Sequence, residues 1–285
     1  MHPVLYKIGN QFTIYSYGVC LCLALFFGFL VFWLKTRRII ENYERVFILF
    51  AITIISGFAG AYLLFVIVNW ELYAEPELFS FSIRGFNIKI PDLRNFLQGG
   101  MVYYGGIIGG ILGGGIASFY LRFSILEIAD LSAPAISMSH LWGRVGCFLA
   151  GCCYGIPCNS TNPLCVKYPQ GAIAYNDMME LHLLNPDKVP NDMPSFVPTQ
   201  IIESFFEGIL SIFLMYFYGR RLVRGQVIGL YFIFYGLFRF FIEFFRFDPL
   251  RGGLGALSTS QWISILLFIT GSILTSRKIS SKVNS

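Results

Sequence analysis

Three charged side chains stand in stretches apolar enough to exclude them. Arg144 follows His140-Leu-Trp-Gly, and Arg239 and Glu243 lie four residues apart in Phe238-Arg239-Phe-Phe-Ile-Glu243. A spacing of four places two side chains on one face of a helix. An isolated charge is costly in hydrocarbon, so each of the three should face a polar cavity and find a partner. Two guanidiniums can hold a phosphodiester bidentately, while Glu243 orients one of them or handles a proton. The bland reading of Arg239 and Glu243 is a buried salt bridge that only fixes helix register.

Arg144 is followed by Val-Gly-Cys147-Phe-Leu-Ala-Gly-Cys152-Cys153-Tyr-Gly155, a run of small residues that allows close approach of backbone or ligand. Other polar side chains fall at span ends and could line the same cavity: Tyr17, Tyr103, Tyr104, Glu203 and Gln261. A tyrosine at such a place also serves as an interfacial anchor. His140 is the one histidine inside a predicted span, a packing residue or a base; His2 and His182 are expected to be solvated.

These residues need elements to position them. The chain is 55% hydrophobic and 13% charged over 285 residues, which excludes a soluble fold. A span takes ~20 residues at 1.5 Å each. Apolar segments run over about 12–34, 45–70, 101–121, 126–148, 199–218, 227–245 and 260–275. The fold class expected is therefore an all-α polytopic membrane protein, a single transmembrane domain over 1–285 with about seven helices. The first apolar run is too long for a cleavable signal and lacks a small-residue cleavage site. Positive residues gather after the odd-numbered spans: Lys35, Arg37, Arg38, Arg45, Arg122, Arg220, Arg221, Arg224, Arg277, Lys278 and Lys282. By the positive-inside rule those ends are cytoplasmic, the N-terminus is outside and the C-terminus is cytoplasmic. The net charge of +5 reports topology in this way and does not argue for nucleic acid.

Two segments are expected outside the membrane. Residues 71–98 alternate around Arg84-Gly85, as a short hairpin or an amphipathic loop. Residues 151–198 form a cysteine-rich extracytoplasmic cap. Cys20 and Cys22 are expected to be packing residues. Cys158 and Cys165 could pair with Cys152 or Cys153 in an oxidising compartment. Zinc is weakly supported, because the C-C-x4-C-x6-C spacing lacks paired CxxC units. The third span carries glycines three and four apart, Gly106 and Gly109 among them, which suits close helix packing. Asp130, near the start of the fourth span, suits a helix dipole.

Five ordered stretches resemble one known family, the bacterial phosphatidylglycerol–prolipoprotein diacylglyceryl transferases. Gly143-Arg144-Val-Gly146-Cys147-Phe148-Leu-Ala-Gly151-Cys152-Cys153-Tyr-Gly155 resembles that family's G-R-x-G-N-F-x-N-G-E-x-x-G. Tyr17-Gly18 matches in the first span, and Gly99-Gly100-Met-Val-Tyr-Tyr104-Gly105-Gly106 resembles G-G-M-x-x-H-G-G. Pro198-Thr-Gln200-Ile-Ile-Glu203 resembles H-P-S-Q-L-Y-E, and Tyr235 to Arg246 with Leu257 to Ser264 resembles the C-terminal helix pair. The resemblance implies seven spans in the bacterial inner membrane and transfer of diacylglyceryl from phosphatidylglycerol to the lipobox cysteine of a prolipoprotein. Carried over by position, Arg144 binds the lipid phosphate, and Arg239 and Glu243 complete the polar site. Tyr17, Tyr104 and His140 join them as catalytic candidates, and Gly155, Gly106, Cys147 and Gln261 as substrate-binding ones. No metal or organic cofactor is implied.

The departures from the family pattern sit on the acceptor side. Tyr104 occupies the family's histidine position, Cys147 its asparagine, Cys152 its acidic residue and Val197 the histidine before the proline. A phenol as base would need a pKa well below ~10. His140 or Glu243 could substitute, or the arginines alone could activate the thiol. Three alternatives follow: a divergent paralogue with another thiol or lipid acceptor, a non-catalytic lipid-binding or transport protein, and a structural paralogue whose cap binds a partner.

Overall fold

The computed structural model describes residues 3–8, 12–37, 43–70, 77–83, 86–91, 100–181, 193–247, 253–255 and 257–277. Eight α-helices dominate among them: α1 (Ser16–Thr36), α2 (Tyr43–Val68), α3 (Tyr103–Tyr120), α4 (Ile125–Ala150), α5 (Ile173–Glu180), α6 (Thr199–Tyr218), α7 (Gln226–Ile242) and α8 (Thr259–Thr275). A 3₁₀ turn over Glu243–Phe245 prolongs α7. Among the described residues, four helical stretches are long and apolar enough to cross a membrane by length and composition: Ser16–Thr36, Tyr43–Val68, Thr199–Tyr218 and Gln226–Phe245. The chain is thus an all-α membrane protein. The predicted third span falls on the glycine-rich α3, the fourth on α4, with its buried Asp130 and its Arg144, and the seventh on the 17-residue α8.

The first predicted span begins with a strand rather than a helix. β1 (Val4–Ile8) pairs antiparallel with β2 (Phe12–Tyr15), and α1 starts at Ser16. Among residues 71–98 the hairpin form is the one adopted: β3 (Glu77–Ile83) pairs with β4 (Phe86–Pro91), with Ile83 opposite Phe86. The turn at Arg84-Gly85 lies outside the described residues, as do His2, Arg38, His182, Lys278 and Lys282.

The chain divides into two compact units, residues 39–128 and residues 1–38 with 129–285. In the smaller unit α2 and α3 meet through glycines. A Cβ on Gly109 would stand 3.0 Å from Gly60 Cα and overlap the Ser56 carbonyl, so the two backbones touch where side chains would normally keep them apart. Val102 N–H closes the contact on Ala61 O at 3.0 Å.

In the larger unit the helices are joined by hydroxyls as much as by apolar packing. Ser139 Oγ donates to Ala24 O across α1 and α4 at 2.9 Å; Ser211 Oγ donates to Pro134 O across α6 and α4 at 2.8 Å. Asp130 serves a helix dipole, and the helix is α7: its buried carboxylate accepts from Gly225, Val227 and Ile228 N–H and pairs with Arg221 at 2.8 Å. The segment over 151–198 has its own small core, in which Tyr154, Tyr168, Tyr175, Met178 and Phe196 are buried. β5 (Pro157–Cys158) pairs there with β6 (Ser195–Phe196).

Candidate functional site

The buried face of α6 is polar. Gln200, Glu203, Ser204, Glu207 and Ser211 lie on it at helical spacing, all of them buried. Glu203 and Glu207 are four apart, and so are His140 and Arg144 on α4, so the two pairs can clasp each other. Arg144 Nη2 lies 2.8 Å from Glu203 Oε2, and His140 Nδ1 lies 2.8 Å from Glu207 Oε1. Arg144 Nε donates to His140 Nε2 at 3.2 Å, closing the ring. Ser137 Oγ donates to Glu207 Oε2 at 2.6 Å and holds that carboxylate. His140 thus contacts Arg144 through Nε2 and Glu207 through Nδ1, bridging the guanidinium and the second carboxylate.

Two more arginines converge on the same carboxylate. Arg239 Nη1 and Arg246 Nη1 each lie 3.7 Å from Glu203 Oε1. Arg239 Nη2 lies 2.8 Å from Glu243 Oε2, the i,i+4 pair expected from the sequence. The N-terminus of α8 braces that pair: Ser258 Oγ donates to Glu243 Oε1 at 2.8 Å, and Arg239 Nη2 donates to Ser260 Oγ at 3.3 Å. Donors remain unused. Among the described residues, buried Arg239 Nη1 and Arg246 Nε find no hydrogen-bond acceptor and buried Glu203 Oε1 finds no donor. A buried guanidinium N–H left unmatched is costly, which marks these donors as a place for an anion.

Gly155 explains how Arg246 reaches the site. Its N–H donates to Val197 O at 2.9 Å, the next N–H, of Ile156, donates to Phe245 O at 2.9 Å, and Gly155 forms a bridge with Arg246. A Cβ on Gly155 would stand 2.5 Å from Val197 O and 2.8 Å from Phe245 O. Glycine is needed here because two backbone carbonyls take up the space a Cβ would fill. Its part is to pin the segment that carries Arg246.

The remaining sequence candidates separate. Tyr17, at the start of α1, packs on Gly146, whose added Cβ would meet its ring at 3.1 Å, and it neighbours Arg144 and three cysteine thiols. Cys147 faces Cys152 and Cys153 at the end of α4. Gln261 is spent on a helix cap: its Oε1 accepts from Ser258 N–H at 3.0 Å while Ser258 Oγ accepts from Gln261 N–H, a reciprocal capping box at α8. Tyr104 and Gly106 belong to the smaller unit. Tyr104 is exposed on the first turn of α3 with its ring against Tyr103, and Gly106 packs against α2, where an added Cβ would touch Ala61 and Gly57 at 3.6 Å.

The cysteine expectation needs correction. Cys158 and Cys165 are joined to each other, seven residues apart, and Cys152 and Cys153 are free. The loop between them turns back on itself, with Cys165 N–H donating to Asn162 O at 3.0 Å. Cys153 faces the Cys147 and Cys152 thiols, whose hydrogen bonds hold it below the usual thiol range, helped by the Arg246 and Arg144 guanidiniums. Nearby, burial pushes the Tyr168 phenol up to about 12, and it stays a neutral partner of Gln200.

Sequence reasoning missed Glu207 and gave Arg246 no role. The signal for Glu207 was present in the polar stripe of an otherwise apolar helix, Gln200, Glu203, Ser204, Glu207, Ser211.

Comparison with known proteins bears on the whole chain. The sequence profile described as prolipoprotein diacylglyceryl transferase matches residues 3–277. A phosphatidylglycerol–prolipoprotein diacylglyceryl transferase 2 of Clostridium perfringens is 34% identical over 261 residues, 92% of this chain and 90% of that protein. The transferase of Clostridium tetani is 32% identical over 272 residues, 95% of each chain. That of Buchnera aphidicola is 29% identical over 293 residues, 96% of this chain and 95% of that protein. With the arginine cluster in place and a match that runs from end to end, the chain belongs to the prolipoprotein diacylglyceryl transferase family.

Proposed function

We propose that this chain moves the diacylglyceryl group of phosphatidylglycerol onto the lipobox cysteine of a prolipoprotein, the first step of lipoprotein maturation. The observation that carries this reading is the pair of unmatched buried donors, Arg239 Nη1 and Arg246 Nε, beside a carboxylate that Arg144 also binds. A phosphodiester supplies the acceptors such donors lack.

In the reaction the acceptor thiol loses its proton, since the thiolate is the nucleophile. It attacks C3 of the diacylglyceryl moiety. A C–S bond forms, the C–O bond to phosphorus breaks, and the electron pair leaves on the phosphate oxygen as glycerol phosphate. Arg144, Arg239 and Arg246 stabilise the charge that develops there. Glu203 keeps the three guanidiniums together, and His140 with Glu207 fixes the plane of Arg144. Glu243, held by Arg239 and Ser258, is the carboxylate through which the proton leaves. No metal or organic cofactor enters this scheme.

The same reading places α1, α2, α3, α4, α6, α7 and α8 across the bacterial cytoplasmic membrane. The clusters of Lys and Arg after alternate spans support an outside N-terminus and a cytoplasmic C-terminus. The 71–98 hairpin and the 151–198 cap then face outward, where the prolipoprotein signal peptide presents its cysteine. A single transmembrane domain over 1–285 carries both.

The test is release of glycerol phosphate from phosphatidylglycerol in nanodiscs on addition of a lipobox peptide. Release that requires the peptide cysteine and vanishes with a serine peptide supports the transfer. Lipid binding without release under any lipobox peptide would make the chain a lipid-binding protein instead.

A further inference from the structure

The end of α4 is a turn that gathers sulfur. Gly151 lies in the left-handed region at φ 77, and Cys152 N–H donates to Cys147 O at 3.1 Å while Gly151 N–H donates to Phe148 O at 3.2 Å. This is a Schellman motif, whose two bonds bring the side chains on either side of the cap into contact. That contact is commonly apolar; here it is Cys147 against Cys152. Cys153 follows, also left-handed at φ 59. The α6 N-terminus clamps the pair: Gln200 Nε2 donates to Cys152 O at 2.6 Å and Thr199 Oγ1 to Cys153 O at 2.9 Å. The three Sγ atoms lie within 4.8 Å of one another.

We propose that Cys147, Cys152 and Cys153 form a three-thiolate site for a thiophilic metal ion, with monovalent copper as the ion that fits. Sulfurs bonded at ~2.3 Å around a trigonal ion stand about 4.0 Å apart, so closure needs shifts under about an ångström. Three thiols cannot be used up by disulfides, since any pairing strands one, whereas a metal ion engages all three. Among the described residues no fourth Cys, His, Asp or Glu joins the cluster. That favours a soft ion content with three thiolates over structural zinc, which takes four protein ligands. Charge agrees. Three thiolates around a monovalent ion carry two net negative charges, and two guanidiniums, Arg246 and Arg144, face the cluster. Binding takes up three thiolates, so every proton still held by the cluster leaves to solvent, with no change of oxidation state. The cluster borders the transfer site and shares Arg144 and Arg246 with it, while the ion takes no part in the transfer step.

The experiment uses the full chain in detergent, reduced without oxygen, stripped by chelator and titrated with monovalent copper against a competing copper chelator. Wild type, Cys20→Ser/Cys22→Ser and Cys158→Ser/Cys165→Ser are expected to retain one copper per chain after gel filtration. Cys147→Ser and Cys152→Ser should bind at least tenfold more weakly. X-ray absorption on wild type, which needs no variant, should find three sulfur neighbours. Copper retained equally by the Cys147→Ser/Cys152→Ser/Cys153→Ser variant, or fewer than three sulfurs in the wild-type spectrum, overturns the site. Zinc held more tightly than monovalent copper overturns the choice of ion.

Discussion

Arg144 on α4 and Glu203 on α6 meet at 2.8 Å with side chains only 12% and 2% exposed. Arg239 and Arg246 approach the other oxygen of the same carboxylate, both at 3.7 Å. Glu203 therefore holds three cations in place, a task that a bound phosphodiester would share. Neutralising Glu203 leaves three buried guanidiniums short of an anion, a change of the kind that costs about 3–5 kcal/mol. Glu203→Gln should unfold at markedly lower temperature in detergent. Added phosphatidylglycerol should raise its unfolding temperature more than it raises that of wild type. Equal lipid effects on both would contradict the shared role.

His140 separates a positioning role from a proton-transfer role. Its Nε2 accepts from Arg144, and its Nδ1 lies against Glu207. A side chain that can accept and donate should do much the same. His140→Gln is expected to keep activity within about tenfold of wild type, and His140→Leu to lose more, through Arg144. A general base removed outright costs about 10²–10⁴-fold. A loss of that size in His140→Gln, with an altered pH profile of kcat/KM, would assign His140 the proton-transfer role.

Gly155 links the cap to the arginine cluster. A methyl group there would overlap the Val197 and Phe245 carbonyls, and relief requires one backbone to move. Gly155→Ala should lower stability by about 1–3 kcal/mol, the usual range for overpacking. Because the Phe245 segment carries Arg246, the variant should also lower kcat/KM by more than its folded fraction explains. A stable variant with full activity would show that Gly155 matters for neither.

Tyr168 gives the cap a dependence on high pH. Burial raises its phenol from 10.0 to about 12, so the folded state keeps the proton that the unfolded state gives up. The neutral phenol's contribution is fully present below pH 10 and is lost as pH rises toward 12. Two units correspond to about 2.7 kcal/mol at most. Unfolding curves between pH 9 and 12, at about half-unit steps, should fall more steeply for wild type than for Tyr168→Phe. Parallel curves would mean the phenol is solvated.

Much of this was legible in the chain itself. Arg144, Arg239 and Glu243 announced themselves as charges in apolar segments, and the Glu243 pairing follows from a spacing of four. Ser258-x-x-Gln261 is a capping-box pattern, so the cap role of Gln261 was readable. Glu207 was harder, because one acid in a long apolar run reads as noise until its neighbours at 200, 203, 204 and 211 are placed on the same face. The pairing of Cys158 with Cys165 is a matter of loop conformation, which spacing leaves open. Arg246 was invisible as a site residue because a backbone bridge at Gly155, not a helix period, delivers it. The identity of the reaction came from ordered motifs; the physical pattern alone reached only as far as an anion held by arginines.

The central claim is that Arg144, Arg239 and Arg246 act together on the phosphate of the lipid. The most direct measurement is glycerol phosphate release in nanodiscs of varied phosphatidylglycerol content, comparing wild type with Arg246→Lys and Arg144→Lys. Lysine keeps the charge but loses the planar fork and the second donor. Losing one such donor typically costs about 10²–10³-fold in rate. The account predicts a fall of at least that order in both well-folded variants, with kcat lowered at saturating lipid. Activity in Arg246→Lys within a few-fold of wild type would contradict the three-arginine site and leave Arg246 a structural residue.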